Sequence, residues 1–327
     1  MGGPLVITTQ LHTSCYMQTN KEGLYCTGGK NWISIGSEGD VYPCNSLVYN
    51  KDHLLGNMLD GPVKLSTDFM RCPWQGCQQI CDRHWSSKAV FKDGTVVDQE
   101  NVINPGVFEG KKNPAAMIWA ASWVCNYNCQ YCGLPKDTRK TTADQWVEAF
   151  KQFLDVNGFD GGLFNTNGGE PLFYDGIEKV FAFMADRGFA ISLTTNLSSD
   201  IWNKVVHAAP PEKWGIINCS LHVTEPKFNW EVFAGRILAL KAMGYPVSVN
   251  FVGHPSQVML APEYAEYFQK RGIQFSLIPM IGQYGKFNFP TIESYPPAMR
   301  DVLKAHCPDS LKDTNRFNDG QRVEGKK

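Results

Sequence analysis

The sequence predicts an α/β fold in which a parallel β-sheet, open or curled into a barrel, follows a small cysteine-rich domain. Three observations support this fold class. From about residue 115 onward, strand-like and helix-like segments alternate, with about 25–30 residues between most successive strands. Glycines stand where several of the helix-like segments should end. Residues 1–112 are instead rich in cysteine, glycine and turn signals, and they show no long helical period.

The first unit of the alternating region sets the pattern for the others. Its strand is the continuous apolar run at 117–124. Its helix should begin at Thr142, where Thr142-Ala143-Asp144-Gln145 has the form of a capping box, and should end at Gly158. The apolar residues of this helix recur at helical spacing and form one face that would cover the sheet: Trp146, Val147, Phe150, Phe153 and Leu154.

Five more strands and four more helices are predicted after this unit. Asp175 and Asn229 should cap two of the helices, which end at Gly188 and Gly244. The predicted strands are 162–166, 190–195, 215–222, 246–252 and 273–278, and the other two helices begin near Ser199 and span 262–270. The alternating region is therefore assigned to 113–285 and a carboxyl-terminal extension with a mobile tail to 286–327. Function in such parallel sheets gathers at the carboxyl ends of the strands.

Composition argues against several classes of partner. The 327 residues include 31 basic and 32 acidic side chains and carry a net charge of -1, so no electrostatic feature favours nucleic acid or a membrane surface. We find neither a signal peptide nor a run of about eighteen apolar residues. We therefore expect a cytoplasmic protein, in which the 11 cysteines stay reduced and their clusters suggest metal binding.

The segment Cys125-Asn126-Tyr127-Asn128-Cys129-Gln130-Tyr131-Cys132 follows the first predicted strand. Three thiolates on so short a loop can hold one corner of an iron–sulfur cluster and leave a fourth iron without a protein ligand. A zinc site is the alternative, but structural zinc takes four ligands and no fourth is close in the sequence. We therefore favour a [4Fe–4S] cluster on Cys125, Cys129 and Cys132.

Polar residues mark the ends of the next strands. Gly168-Gly169-Glu170 follows the second strand, and two glycines let the backbone approach a ligand closely. Alone, this segment would be an ordinary turn, and a lone histidine is more often structural than functional. The candidate pocket residues on the third, fourth and fifth strands are Thr194, Asn196, Ser220, His222 and Asn250.

The three-cysteine loop, with Tyr131 before its last cysteine, resembles the motif of the radical S-adenosylmethionine (SAM) superfamily over about 115–280. The resemblance implies a partial (β/α)6 barrel, a [4Fe–4S] cluster and SAM chelated to its open iron, from which a 5′-deoxyadenosyl radical forms and abstracts hydrogen. It also implies that Gly168, Gly169 and Glu170 bind the SAM amino group. It also implies SAM contacts from polar residues at the end of the third strand, here Thr194 and Asn196. Tyr131, Ser220, His222 and Asn250 are further candidates to line the cofactor pocket.

The amino-terminal cysteines suggest a second metal site. Ile33, Ile35 and Val41 predict a hairpin that turns at 37–39 and brings Cys26 near Cys44. An iron–sulfur cluster or zinc could bind there. The segment is similar to SPASM and twitch domains, which carry auxiliary clusters, although it precedes the barrel and has five or six cysteines, counting Cys15, instead of seven. This resemblance implies one auxiliary [4Fe–4S] cluster, whose ligands would be Cys26, Cys44 and two of Cys72, Cys77 and Cys81.

The sequence thus favours a radical SAM oxidoreductase that oxidises, epimerises or rearranges a small or carrier-bound molecule. A flavodoxin or ferredoxin would supply electrons. A ribosomal-peptide maturase and a glycyl-radical activase are alternatives, and a non-catalytic zinc or iron–sulfur protein is the rival from another class. Cys219 and Cys307 have the character of ordinary thiols.

Overall fold

The computed structural model describes residues 24–26, 28–44, 53–68, 70–71, 88–91, 96–98, 110–129, 131–132, 141–280, 282–284, 287–289 and 292–307. Cys15, Cys72, Cys77, Cys81 and the tail predicted at 312–327 lie outside these ranges. For Cys26 the backbone alone is described.

Fifteen strands and six α-helices lie within the described residues. The strands are β1 Leu24–Cys26, β2 Trp32–Ile35, β3 Asp40–Tyr42, β4 Gly56–Asn57, β5 Met70–Arg71, β6 Lys88–Phe91, β7 Val96–Asp98, β8 Ala115–Ser122, β9 Gly162–Gly168, β10 Phe189–Thr195, β11 Trp214–Leu221, β12 Val247–Gly253, β13 Gln274–Pro279, β14 Gly282–Tyr284 and β15 Phe287–Phe289. The helices are α1 Ala143–Asn157, α2 Ile177–Asp186, α3 Trp202–Val206, α4 Trp230–Ala242, α5 Ala261–Gln269 and α6 Pro297–His306.

The main sheet has nine strands in the order β13-β12-β11-β10-β9-β8-β2-β3-β4. Strands β8 to β13 are parallel, and helices connect most of them, as the alternating sequence pattern predicts. The predicted α/β fold with a parallel sheet is therefore confirmed. The described chain also forms a four-stranded sheet, β5-β1-β6-β7, and the two-stranded sheet β14-β15.

Three strands of the predicted domain 1–112 belong to this main sheet. Strand β2 pairs in parallel with β8, with Trp32 opposite Ala116 and Ile35 opposite Trp119. The hairpin predicted from the apolar pattern is present, since β2 and β3 pair antiparallel with Ile35 opposite Val41. The expected boundary near 112 thus separates strands that share one sheet. The local pattern could not reveal this pairing because the two strands lie about 80 residues apart in sequence.

The helix ends follow the predicted signals with one exception. Thr142 and Gln145 form the capping box of α1, and Gly158 ends that helix in the left-handed conformation with φ 66°. Asn229 caps α4 by accepting a hydrogen bond from the backbone of Val232. The exception is α2, whose amino-terminal cap is Gly176 and not Asp175. None of the described helices combines the length and apolar character of a membrane span, and the longest has 15 residues.

The two faces of the main sheet differ in what covers them. The helix side is aromatic, and the Trp119 ring lies 5.1 Å from that of Trp146 and 5.6 Å from that of Phe164. The inner side carries a separate buried cluster next to β8, formed by Trp32, Tyr42, Cys44, Ala116 and Ile118. Every residue of β8 is buried, so the side chains on both faces of this strand must be apolar or hydrogen-bonded. This explains its continuous apolar run.

We predict that Asn157 stabilises the fold by fixing the amino-terminal segment to α1. Its side chain accepts from the Leu65 amide at 2.8 Å and donates to the Val63 carbonyl at 2.9 Å. Asn157→Ala should lower the free energy of unfolding by about 1–3 kcal/mol, because partly buried backbone groups lose their partners. Urea denaturation measures this change. Gln152→Ala on the same helix removes a single exposed contact to Glu148 and should be near neutral, and equal effects of both variants would contradict the prediction.

Candidate functional site

A cavity of about 270 Å³ opens at the carboxyl ends of β8 to β11. It lies at the edge of the sheet where parallel α/β folds place their reactive groups. The residues that line it are Trp123, Cys125, Tyr127, Cys129, Tyr131, Cys132, Asn167, Gly168, Gly169, Glu170, Thr194, Thr195, Asn196, Ser220 and His222. Most of the cofactor-binding residues predicted from the sequence therefore meet in one place, together with all three cysteines of the loop.

The cysteine loop is braced by its own asparagines. Between the first and second cysteines, the Asn126 side chain donates to the Ser198 hydroxyl at 2.9 Å and accepts from the side-chain amide of Asn196 at 2.9 Å. The backbone amide of Asn128 donates to the Glu225 carboxylate at 3.0 Å. Within the loop, the Cys132 amide donates to the Cys129 carbonyl at 3.0 Å. These contacts hold the loop against the ends of β10 and β11, so the thiols face the cavity.

Gly168 and Gly169 bring the end of β9 against the chain that leads into the cysteine loop. The Gly169 amide donates to the Ser122 carbonyl at 2.7 Å, and the Glu170 amide donates to the Val124 carbonyl at 2.8 Å. A Cβ on Gly168 would meet the Ser122 carbonyl oxygen, and one on Gly169 would meet the carbonyl oxygens of Trp123 and Val124. The sequence suggested close approach to a ligand, whereas the described contact is backbone against backbone.

The Glu170 carboxylate is buried and turned toward the protein's own donors. It accepts hydrogen bonds from the Thr195 hydroxyl and the backbone amide of Asn196, each at 2.6 Å, and from the backbone amide of Leu172 at 3.0 Å. Burial raises the pKa of Glu170 to about 7, and the hydrogen bonds from Thr195, Asn196 and Leu172 oppose this rise. The carboxylate therefore ties the end of β9 to the end of β10. The predicted contact of this carboxylate with a SAM amino group stays a prediction.

Tyr131 and His222 form a neutral pair beside the second cysteine. The Tyr131 hydroxyl lies 2.7 Å from Nδ1 of His222, and Sγ of Cys129 lies 3.4 Å from the same nitrogen. Burial lowers the pKa of His222 to about 4, so its imidazole is neutral at pH 7. Burial also raises the pKa of Tyr131, so the phenol stays protonated at pH 7. The pair thus presents hydrogen-bonding groups without charge.

The three loop thiols are of the ligand type that iron–sulfur clusters use. Burial, with the nearby Glu225 carboxylate, raises the pKa of Cys129 to about 12, so the free thiol stays protonated. Iron would supply the positive charge that a thiolate needs in such surroundings. The described residues contain no group of three histidine, cysteine or acidic side chains arranged around a single metal ion. The ligands of a cubane bind different iron atoms and are not arranged around one ion.

The other predicted site residues are placed as follows. Asn250 is absent from the cavity lining but is the strand partner of Ser220, which lines it. Cys44 is buried in the inner cluster with Trp32 and Ile118, and Cys219 faces the helix side. The predicted ligands Cys72, Cys77 and Cys81 lie outside the described residues, as does the side chain of Cys26.

Sequence reasoning missed Arg236, which supports the end of β10 from helix α4. Its guanidinium donates to the carbonyls of Leu197 and Ser199, each at 2.9 Å, and also contacts Asp200. Leu197 is buried with φ 56°, a conformation that a side chain of this size rarely adopts. No local motif marks this brace, because its partners are more than 30 residues apart in sequence.

No protein-family model matches the chain. Among solved structures, the Streptococcus suis protein SuiB bound to its precursor peptide SuiA is 18% identical, with a TM-score of 0.46 over 59% of this chain and 45% of that one. The structure of anSMEcpe with bound AdoMet and Kp18Cys peptide is 17% identical, with a TM-score of 0.46 over 57% of each chain. The cobalamin-dependent radical enzyme OxsB is 13% identical, with a TM-score of 0.34 over 50% of this chain and 29% of that one. The chain spans about half the length of the first two structures.

We predict that Glu170→Gln destabilises the protein by about 1–3 kcal/mol. The side-chain NH2 of glutamine would face a group that already donates, namely the Thr195 hydroxyl or the backbone N–H of Leu172 or Asn196. A carboxylate that pointed freely into the cavity would tolerate the change. Urea denaturation gives the free energy of unfolding. Asp144→Asn, which alters an exposed ion pair with Lys179, is the control and should change it by less than about 0.5 kcal/mol. An unfolding curve of Glu170→Gln that superimposes on wild type would refute the tie between β9 and β10.

Proposed function

We propose that this protein is a radical SAM enzyme whose catalytic [4Fe–4S] cluster binds to Cys125, Cys129 and Cys132. The observation that carries the proposal is the convergence of these three cysteines and the Gly168–Gly169–Glu170 turn on one cavity at the carboxyl ends of parallel strands. The cysteine spacing and the glycine turn are independent sequence signals separated by about 36 residues. Their meeting in the fold is what the proposed chemistry requires.

When bound, the cluster and SAM would supply a 5′-deoxyadenosyl radical that abstracts a hydrogen atom from substrate. The chain's own contribution is to bind, orient and shield these groups. Gly168, Gly169 and Glu170 would receive the SAM amino group at the turn after β9. Thr194, Asn196 and Ser220, which line the same cavity, would hydrogen-bond the rest of the cofactor, and Asn250 lies beside Ser220 on the neighbouring strand.

The neutral pair of Tyr131 and His222 suits this role. A protonated imidazole beside Cys129 would add a positive charge close to the cluster, but burial keeps the pKa of His222 near 4. The imidazole would therefore orient the Tyr131 ring through its hydroxyl and leave the charge of the cluster unchanged at pH 7. Tyr131 packs between His222 and His254, whose ring centroids lie 6.1 and 5.6 Å away.

We further propose one auxiliary cluster in the amino-terminal region, on Cys26, Cys44 and two of Cys72, Cys77 and Cys81. Support comes from the confirmed β2–β3 hairpin and from Cys44, which is buried on the inner side of the sheet just after β3. An auxiliary cluster could accept an electron from substrate in a net oxidation, with flavodoxin or ferredoxin as the external reductant. Zinc at this second site is the competing assignment.

The first test is replacement of Cys125, Cys129 and Cys132 together by alanine. We expect the loss of about four irons per chain, the content of one cubane, and the loss of 5′-deoxyadenosine formation from SAM and dithionite. Iron analysis and chromatography of the products measure both. Cys307→Ala, at a buried thiol of the carboxyl-terminal region, should keep the iron and the activity. Continued SAM cleavage by the triple variant would show that the site is elsewhere.

The second test counts metals in anaerobically reconstituted wild-type and Cys44→Ala proteins. Two cubanes require about eight irons per chain, and the variant should fall to about four while it still cleaves SAM without substrate. The reason is that Cys44 and the three-cysteine loop are separate ligand sets. Four irons and one zinc in the wild-type protein would instead identify the amino-terminal site as structural zinc and remove the electron-acceptor role.

A further inference from the structure

A second row of polar side chains lies behind the cavity lining on the same face of the sheet. Side chains two residues apart on a strand point to the same face. Asn167, Thr194 and Ser220 line the cavity. Two residues earlier on the same three strands stand Asn165, Ser192 and Asn218, which we call the lower row. All three are no more than 1% exposed.

The lower row has polar atoms without partners in the part of the chain that the structure describes. Neither Oδ1 nor Nδ2 of Asn165 is hydrogen-bonded, nor is Oγ of Ser192 or Nδ2 of Asn218. One bond is made, from the Ser248 hydroxyl to Oδ1 of Asn218 at 2.8 Å. A buried polar atom without a partner is costly, so such atoms are nearly always bonded in native proteins. Several together on one face point to an occupant that supplies both donors and acceptors.

The surroundings restrict the charge of that occupant. The inward-facing positions of β8 to β13 contain alanine, leucine, isoleucine, valine, serine, threonine, asparagine and glutamine, and none is ionisable. The carboxylate that reaches the cavity, on Glu170, already accepts three hydrogen bonds. An anion placed among these groups would lose its water without gaining a cation in exchange.

We propose that the lower row binds an uncharged, hydrogen-bonding group of the substrate, either a hydroxyl or a carboxamide, and discriminates against carboxylates and phosphates. The inference rests on the proposed function, because it takes this cavity to be the place where substrate meets SAM. Asn165 is the principal specificity-determining residue, since it offers an acceptor and donors side by side. Ser192, its strand partner on β10, adds a hydroxyl next to it.

The test uses three probes of equal carbon number with reconstituted protein and SAM under anaerobic conditions: propionamide, propane-1,2-diol and propionate. Saturation-transfer NMR reports binding at millimolar concentrations. We expect transfer to the amide or the diol, and which of the two binds more tightly identifies the group. Propionate has the shape of propionamide and should show none. Propionate binding as strong as that of either neutral probe, or binding by no probe, overturns the proposal.

Variants assign the effect to the lower row. Asn165→Leu keeps the shape of the side chain but removes its polar atoms, and it should weaken binding of the neutral probe about fivefold or more. Thr166→Val is the matched control, because Thr166 is equally buried, has an unpartnered hydroxyl and faces the opposite side of β9. If Asn165→Leu fails to fold, Ser192→Ala replaces it with the same expectation. Undiminished probe binding in the lower-row variant overturns the proposal.

The same preparations separate this inference from the proposed function. Formation of 5′-deoxyadenosine is measured in parallel with probe binding. If SAM is not cleaved but the neutral probes bind in an Asn165-dependent manner, the radical SAM assignment fails and the binding chemistry of the cavity stands. If SAM is cleaved but propionate competes equally with the neutral probes, the enzyme assignment stands and the specificity inference fails.

Discussion

The contact between the backbone after β9 and the backbone after β8 is the constraint on which the candidate site depends. The amides of Gly169 and Glu170 bond to the carbonyls of Ser122 and Val124, immediately before the first cysteine of the loop. This approach needs residues without side chains at both glycine positions, because a Cβ would fall on a carbonyl oxygen. The carboxylate of Glu170 then extends the same contact to β10 through Thr195 and Asn196. The side chain of Asn196 in turn donates a hydrogen bond to Asn126 inside the cysteine loop, so these hydrogen bonds link the ends of β9 and β10 to the loop.

These linked hydrogen bonds explain how residues of the sequence motifs can be structural and functional at once. The cysteine loop has no regular secondary structure of its own, so its shape must come from neighbours. Asparagine is suited to that task because one amide can donate and accept in different directions. The proposed cluster on three thiols would tolerate little movement of the loop, because the groups that support metal ligands fix the geometry of the site. The hydrogen bonds that hold the loop would therefore matter for the proposed chemistry even where they touch no ligand.

The sequence allowed the sheet and the site to be predicted where the signals were local. The capping box at Thr142, the glycine at 158 and the apolar run of β8 each report on their own few residues, and each is found as expected. The polar residues at the ends of β9, β10 and β11 could be brought together because parallel strands end at the same edge. The features that the sequence did not predict depend on distant residues or on ambiguous local signals. The pairing of β2 with β8 joins distant segments, and at the start of α2 both Asp175 and Gly176 were adequate cap residues. The hydrogen bonds from Thr195 and Asn196 to Glu170 could not be predicted from the motif, because they join the ends of two different strands, and the contact of Glu170 with a SAM amino group stays a prediction.

The contrast between the two faces of the sheet links the fold to the chemistry. On the helix side, aromatic rings from β8, β9 and α1 pack at centroid distances of 5.1 to 5.7 Å and leave no need for a ligand to complete the core. On the inner side, asparagines and serines take the equivalent positions, although apolar residues there would have cost less free energy to bury. Parallel strands buried on both faces normally read as continuous apolar runs, and β8 does so, whereas β9 to β12 do not. Stability alone gives no reason for this departure. The proposed binding of a neutral substrate group beside SAM and a cluster would give one, since such groups can orient a substrate without introducing the charges that would perturb a cluster or its thiolates.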